Sequence, residues 1–293
     1  MTKRIFLLFS LLCLIGCSSI SNQDNISSKK TDGIYKATED SKTSVTSLAG
    51  LADNENNINA LPTSTPRSYW QEAGYAEVPI LLFHHITIDQ PKNGYSVSLT
   101  FFKKYIDYLK EFNYHTITLA QLSLALYEGA ELPLNPVIIT FDDGNRNVFD
   151  NAFPLMSDYG FVGVVYVITN RINLNGFLTE DQLHQMIDSG WEVGSHGRKH
   201  IDLVEQPEAL RDEVGNSKKE LEQLLGIQVL SFAYPFGKAD NKAKDWVKQI
   251  GYQVALGLGI SNKHSASSRF YLSRREVKSE LPLDEFIKLL KIN

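Results

Sequence analysis

Beyond Glu77 the chain alternates short, continuously apolar runs with amphipathic stretches, and this alternation restricts the fold more than any other feature of the sequence. Val78-Pro79-Ile80-Leu81-Leu82-Phe83 is apolar without a break, as a parallel strand is when both of its faces are covered. Further strands are expected at 136–141, 162–168, 191–194 and 229–234, with a weaker one at 253–256. Between them the spacing predicts helices. One lies near 100–113, where Phe102, Tyr105, Ile106, Leu109 and Phe112 share a face. Another opens at Thr179, whose Thr-Glu-Asp-Gln fits a capping box, and stops at Gly190. A third runs from about 206 to 225 and ends at Gly226. Strand, helix and strand repeated this often imply an α/β fold with parallel strands and right-handed crossovers. Six or more such units favour a closed barrel over an open sheet, and either architecture gathers its chemistry at the C-terminal ends of the strands.

The first 76 residues read differently. Lys3 and Arg4 precede about a dozen apolar residues, too few to span a bilayer but the length of a signal-peptide core. Leu14-Ile15-Gly16-Cys17 resembles the lipobox of bacterial lipoproteins, which implies cleavage after residue 16, acylation of Cys17 and a place at the surface of a bacterial envelope membrane. Residues 17–76 are polar, with Tyr35 as the lone aromatic before 67, and read as a disordered tether. The folded domain is then expected over 77–293. Its only possible thiols lie upstream, since Cys13 and Cys17 are the only cysteines, so any metal in the domain must be held by His and carboxylate. The formal charge of −5 offers no basic field for nucleic acid.

Three strand ends carry candidate chemistry. Thr140-Phe141-Asp142-Asp143-Gly144 delivers two adjacent carboxylates to the rim of the sheet, a costly arrangement unless a cation compensates it, although Asp-Asp-Gly is also ordinary turn chemistry. Ser195-His196-Gly197-Arg198-Lys199-His200 places two imidazoles four residues apart. Gly197 stands where a zincin protease would carry its catalytic Glu, which removes that reading. One carboxylate with His196 and His200 makes a three-ligand set with room left for water, as catalytic rather than structural metals have. In Tyr234-Pro235-Phe236-Gly237 the turn leaves the Phe236 N–H free to face a ligand, or merely closes a core strand.

Together TFDDG, SHGRKH and YPFG resemble, in order and spacing, the first three motifs of the polysaccharide deacetylase (NodB-homology) family of metal-dependent carbohydrate esterases, over about 78–278. The resemblance implies a distorted (β/α) barrel of fewer than eight complete units and de-N-acetylation of an N-acetylglucosamine polymer. It implies Asp142 as catalytic base, and Asp143, His196 and His200 as ligands of one divalent ion, with zinc, iron, cobalt and nickel all compatible. Phe236 and Tyr234 become candidates for oxyanion and substrate contacts.

Two departures stand out. The family's usual late histidine is missing, and His264 lies in a polar stretch, whereas VPILLFHHI resembles the opening of the poly-N-acetylglucosamine deacetylase branch, which makes His84 the expected general acid with His85 as the alternative. Ala233 replaces the arginine that commonly pairs with the base. Leu272-Ser273-Arg274-Arg275-Glu276-Val277 resembles a late motif of the family that returns an arginine to the site, with Arg274 the better match than Arg275. Two rival readings remain open at this level: a catalytically weak glycan-binding lipoprotein, and a metal amidohydrolase acting on a small amide.

Overall fold

The computed structural model describes residues 73–88, 91 and 93–291. The expected signal peptide, Cys17 and the tether up to 72 lie outside these residues. Seven parallel strands form the frame: β1 (Ile80–Phe83), β2 (Pro136–Phe141), β3 (Val164–Val167), β4 (Glu192–Ser195), β5 (Ser231–Ala233), β6 (Val254–Leu258) and β7 (Leu272–Glu276). They pair in the order β1-β7-β6-β5-β4-β3-β2, and β2 pairs back onto β1, closing a seven-stranded barrel. The helices α1 (Leu99–Glu111), α2 (Leu119–Glu128), α3 (Phe153–Asp158), α4 (Glu180–Asp188), α5 (Ser217–Leu225), α6 (Asn241–Ile250) and α7 (Leu283–Leu290) occupy the connections.

A period-two alternation on every strand separates two cores. Ile80, Ile138, Val164, Tyr166, Ala233, Leu256 and Leu272 belong to one apolar cluster, which continues into α2 through Leu119, Leu122 and Leu126 and plugs the lower end of the barrel. Leu81, Phe83, Val137, Ile139, Phe141, Val165, Val193 and Phe232 belong to the second, packed against the helices. Phe141 stacks on Trp191 with ring centroids 5.6 Å apart, so Trp191 is a core residue, and Phe141→Ala would cost about 3–5 kcal/mol. The barrel interior accommodates the Tyr166 ring only because residue 194 is glycine: a Cβ there would sit 2.2 Å from its Cε1.

Where the elements depart from expectation, the reasons are local. The capping box at Thr179 forms with Gln182, as its spacing predicted. The helix expected over 206–225 is divided into a 3-10 turn at Pro207–Ala209, a π-helical stretch at Arg211–Asn216 and α5; Pro207 opens the first segment, where its missing N–H costs nothing, and within the π-helical stretch the buried Glu213 accepts the Lys199 N–H. Leu272–Glu276, a segment whose two arginines interrupt any apolar run, is a full barrel strand. Residues expected at the end of the tether belong to the fold. Tyr75–Glu77 pairs antiparallel with Lys263–Ser265, and Ala76 is fully buried. Among the described residues no helix is long and apolar enough to cross a membrane.

Candidate active site

The alternation that builds the interior core also builds the site. Reading up each strand, the residues two places beyond Leu82, Thr140, Gly194 and Leu272 are His84, Asp142, His196 and Arg274, so four ionisable side chains enter the upper mouth of the barrel from four strands. Their relative heights are set by register. Phe83 pairs with Phe141, and the Asp142 N–H donates to the Phe83 carbonyl at 2.9 Å, which places Asp142 beside His84. The Asn145 amide, 3.4 Å from the carbonyl oxygens of both His84 and Asp142, ties the two strand ends together.

Asp142 is 2% exposed, and burial by itself would raise its pKa. The guanidinium of Arg274 overrides that penalty. Its Nη1 and Nη2 donate to Oδ1 at 2.6 Å and Oδ2 at 2.8 Å, and with the nearby His196 this holds the carboxyl at about 2. Arg274 is itself 1% exposed, donates to the Gly257 carbonyl and to Thr140 Oγ1, and lies 5.5 Å from the Tyr166 ring centroid. One step along β7, Arg275 points out of the barrel and donates to the Lys288 carbonyl in α7. Strand parity thus distinguishes the two arginines.

Asp143 leaves the interior path through a left-handed backbone conformation, φ 74°, followed by Gly144 at φ 71°. His200 (φ 64°) and Phe236 (φ 59°) are left-handed too, so three of the non-glycine residues in this costly region converge on one cleft; the others among the described residues are Asn113, Asn135, Asn173 and Ser279. Asp143 Oδ1 lies 3.8 Å from His196 Nε2 and 3.7 Å from His200 Nε2, and one donor atom from each of the three residues lies within 4.8 Å of the others. His196 Nδ1 donates to the Ala233 carbonyl at 2.8 Å, which leaves Nε2 as a lone-pair donor aimed at Asp143. Burial, the neighbouring His196 and Arg171 push His200 down to about 4 against the pull of Asp143, so His200 is a neutral imidazole at neutral pH. Ligands about 2.0–2.1 Å from a tetrahedral ion stand about 3.3–3.4 Å apart, so the two Asp143–imidazole separations are within a few tenths of an ångström of what a divalent cation requires, and the imidazoles must draw together around it. Asp142 Oδ2 sits 3.6 Å from His196 Nε2, next to that position without belonging to the trio.

These residues line a cleft of about 320 Å³ together with His85, Asn93, Tyr95, Leu258, Glu276 and Lys278. Its rim carries two exposed aromatics, Tyr95 and Phe236, at 48% and 54%. The His84 ring packs edge-on to Tyr95 with centroids 5.0 Å apart, and its Nδ1 is buried without a hydrogen-bond partner. Burial lowers its pKa, Asp142 and Asp143 draw it back up, and Arg274 opposes them. His85 also lines the cleft, pinned by the Asn147 side chain at 3.1 Å.

Two expected site residues lie elsewhere. Tyr234 is fully buried; its hydroxyl donates to the Phe270 carbonyl, and it does not line the cleft, because the strand-like backbone before Pro235 turns it into the outer core. His264, the remaining alternative for the acid, lies at the lower end of the barrel, where its Nε2 donates to the Val78 carbonyl. The sequence reading missed Glu213 altogether. It is fully buried and accepts backbone N–H bonds from Arg198 and Lys199 in the loop between the two histidines. Nothing local in the sequence marks it, since it contacts that loop from across a connection more than ten residues long.

Comparison with known proteins agrees with this geometry. The family model for polysaccharide deacetylase matches residues 130–255, a segment that holds Asp142, Asp143, His196, His200 and Phe236 but neither His84 nor Arg274. The chain is 28% identical over 195 residues to the polysaccharide deacetylase-like protein YxkH of Bacillus subtilis, covering 66% of this chain and 67% of that one. It is 27% identical over 180 residues to a poly-beta-1,6-N-acetyl-D-glucosamine N-deacetylase of Staphylococcus epidermidis, covering 56% and 62% respectively, a little under two thirds of that relative's length. In fold it resembles the deacetylase PplD of Streptococcus pyogenes, solved in complex with acetate: the TM-score is 0.68 at 22% identity, over 74% of this chain and 99% of that one.

Proposed function

We propose that the chain acts as its polysaccharide deacetylase relatives are named to act, removing acetyl groups from N-acetylglucosamine residues of a cell-envelope or extracellular polysaccharide, using one divalent ion held by Asp143, His196 and His200. Zinc suits one carboxylate and two imidazoles, and iron, cobalt or nickel fit the same donors. Such an ion, when bound, polarises an acyl oxygen and acidifies water. The observation that carries the reading is the buried, Arg274-clamped Asp142 carboxylate lying 3.6 Å from His196 Nε2 of the trio, in an open cleft.

Each side chain then has a task. Asp142, kept ionised by Arg274, accepts the proton of the attacking water. The developing negative charge on the acetyl oxygen faces the N–H of Phe236, a donor of a kind worth roughly 2.7–4 kcal/mol when well aimed. The departing nitrogen must be protonated, since an amide anion is too poor a leaving group, and His84, which lines the same cleft but lies outside the metal trio, is the imidazole that supplies the proton. The cleft's exposed aromatic rim favours a polymer over a small amide, because sugar faces stack on such rings. The sequence of Cys17 and its neighbours supports acylation and envelope anchoring as part of the same proposal.

The test is acetate release from N-acetylglucosamine oligomers by the full chain, with and without a chelator, beside Asp142→Asn. Chelator-sensitive turnover abolished by Asp142→Asn is expected. Chelator-resistant turnover, or an Asp142→Asn protein with undiminished rate, would overturn the assignment.

A further inference from the structure

The segment joining the two metal-ligand imidazoles is held from both sides. The carbonyls of Gly197 and Arg198 accept from the N–H groups of Thr169 and Asn170 at 3.1 Å each. On the opposite side of the peptide units the acceptor is Glu213. Its carboxylate takes the N–H of Arg198 at 3.0 Å, that of Lys199 at 3.0 Å through both oxygens, and that of Ile201 at 3.4 Å. A third tie runs from the Gly197 N–H to Ser195 Oγ, from there to Ser217 Oγ, and on to the Glu213 carbonyl.

Glu213 is an unusual way to hold a loop. It is fully buried, yet no ion pair reaches it among the described residues. The nearby cations are committed elsewhere: Arg198 to Asp212 and Glu220, and Lys199 Nζ to Asp212. A buried carboxylate without a cation is among the most expensive groups a fold can carry, and here only backbone N–H groups offset it. The main chain is distorted to suit it. Glu213 sits in the π-helical stretch Arg211–Asn216, and a Cβ on Gly197 would lie 2.6 Å from its Oε2. The loop it grips ends at His200, which is held at φ 64°.

From this arrangement we infer that Glu213 is a positioning residue that pre-forms the His196–His200 ligand loop and adds a fixed negative charge beside it, so that cation affinity depends on a side chain that touches no cation. The inference rests on the proposed metal site. Replacing such an outer partner weakens metal affinity by about 10–100-fold in proteins generally. Gln keeps the shape of Glu213 but loses its charge and turns one end into a donor facing backbone donors.

The experiment measures Zn²⁺ affinity of the full chain by competition with a chromogenic chelator, for wild type, Glu213→Gln and Glu213→Asp, together with the Co²⁺ absorption spectrum and apo-protein backbone hydrogen exchange. Glu213→Gln is expected to weaken Zn²⁺ binding about 10–100-fold, to alter the Co²⁺ bands, and to leave Glu213→Asp, which is charged but too short, only partly rescued. In wild-type apo-protein the amides of Arg198, Lys199 and Ile201 are expected to be protected from exchange. A folded Glu213→Gln protein that binds Zn²⁺ within twofold of wild type refutes the inference and leaves the metal site standing. Unprotected wild-type amides refute it even if the variants do not fold. Wild type that fails to bind Zn²⁺ or Co²⁺ overturns the proposed metal site itself.

Discussion

Replacing Arg274 by Met removes the one guanidinium or ammonium group bonded to the buried Asp142 among the described residues and leaves the shape of the barrel interior nearly intact. With Arg274 present the Asp142 carboxyl stands at about 2 rather than its ordinary 3.8. Because the folded-state value lies below the unfolded one, the pair stabilises the fold at every pH above about 3.8, and that contribution fades as pH falls toward 2. The gap is worth about 2.5 kcal/mol. Removing one partner of a buried pair generally costs about 3–5 kcal/mol, since the remaining charge is stranded. Asp142 will escape part of that cost by taking up a proton, because burial, the largest influence on it, then acts with only His196 and His84 in opposition. Each step of one in its pKa is tenfold in the ionised fraction below that value.

The assay is acetate release across pH, with urea unfolding in parallel. Wild type should show no acid limb attributable to Asp142 above pH 4, whereas Arg274→Met should gain one in the range of about pH 5–8, losing about tenfold in kcat/KM per pH step below its midpoint. Arg275→Met supplies the control. It removes a similar side chain one residue away that donates to Lys288 outside the barrel, and should cost stability without moving the acid limb. A folded Arg274→Met enzyme with the wild-type pH profile, or equal shifts in both variants, would refute the claim that strand parity assigns the Asp142 clamp to Arg274.

Three other outcomes are expected. His84→Gln should lower turnover of the acetamide by about 10²–10⁴-fold yet spare hydrolysis of an aryl acetate, whose leaving group needs no proton; equal losses on both substrates would exclude His84 as proton donor. His264, pushed down to about 4 by burial, must lose its proton to enter the fold, so about 3 kcal/mol of stability present above pH 6.5 should drain away as pH falls to 4; His264→Gln should flatten the urea midpoint over that window, and an unchanged slope would contradict the assignment. Gly194→Ala drives a methyl group to 2.2 Å from the Tyr166 ring beneath Arg274 and should cost about 1–3 kcal/mol by overpacking, read by thermal unfolding, with a neutral result counting against the packed interior described above.

Much of this molecule was legible without coordinates, for reasons that are themselves local. Unbroken apolar runs such as 136–141 identify strands covered on both faces, and the polar residues that terminate them, Asp142, Asp143 and His196, identify the rim. Arg274 and His84 came instead from resemblance, and what separates Arg274 from Arg275 is the parity of β7. Other features depend on which segments meet. The barrel closes with seven strands because Ile80–Phe83 pairs on both sides, with Pro136–Phe141 and with Leu272–Glu276, and the second pairing spans nearly the whole fold. Tyr234 has the composition of a sugar platform, and only its packing against Phe232 and the Phe270 carbonyl makes it core. Glu213 is one acidic residue in a polar helical stretch until the backbone of Arg198 and Lys199 is brought against it. Local apolar pattern and turn chemistry determine elements and their ends, whereas long-range register determines which ends share one volume of space, and a buried charge acquires its meaning only from the groups placed around it.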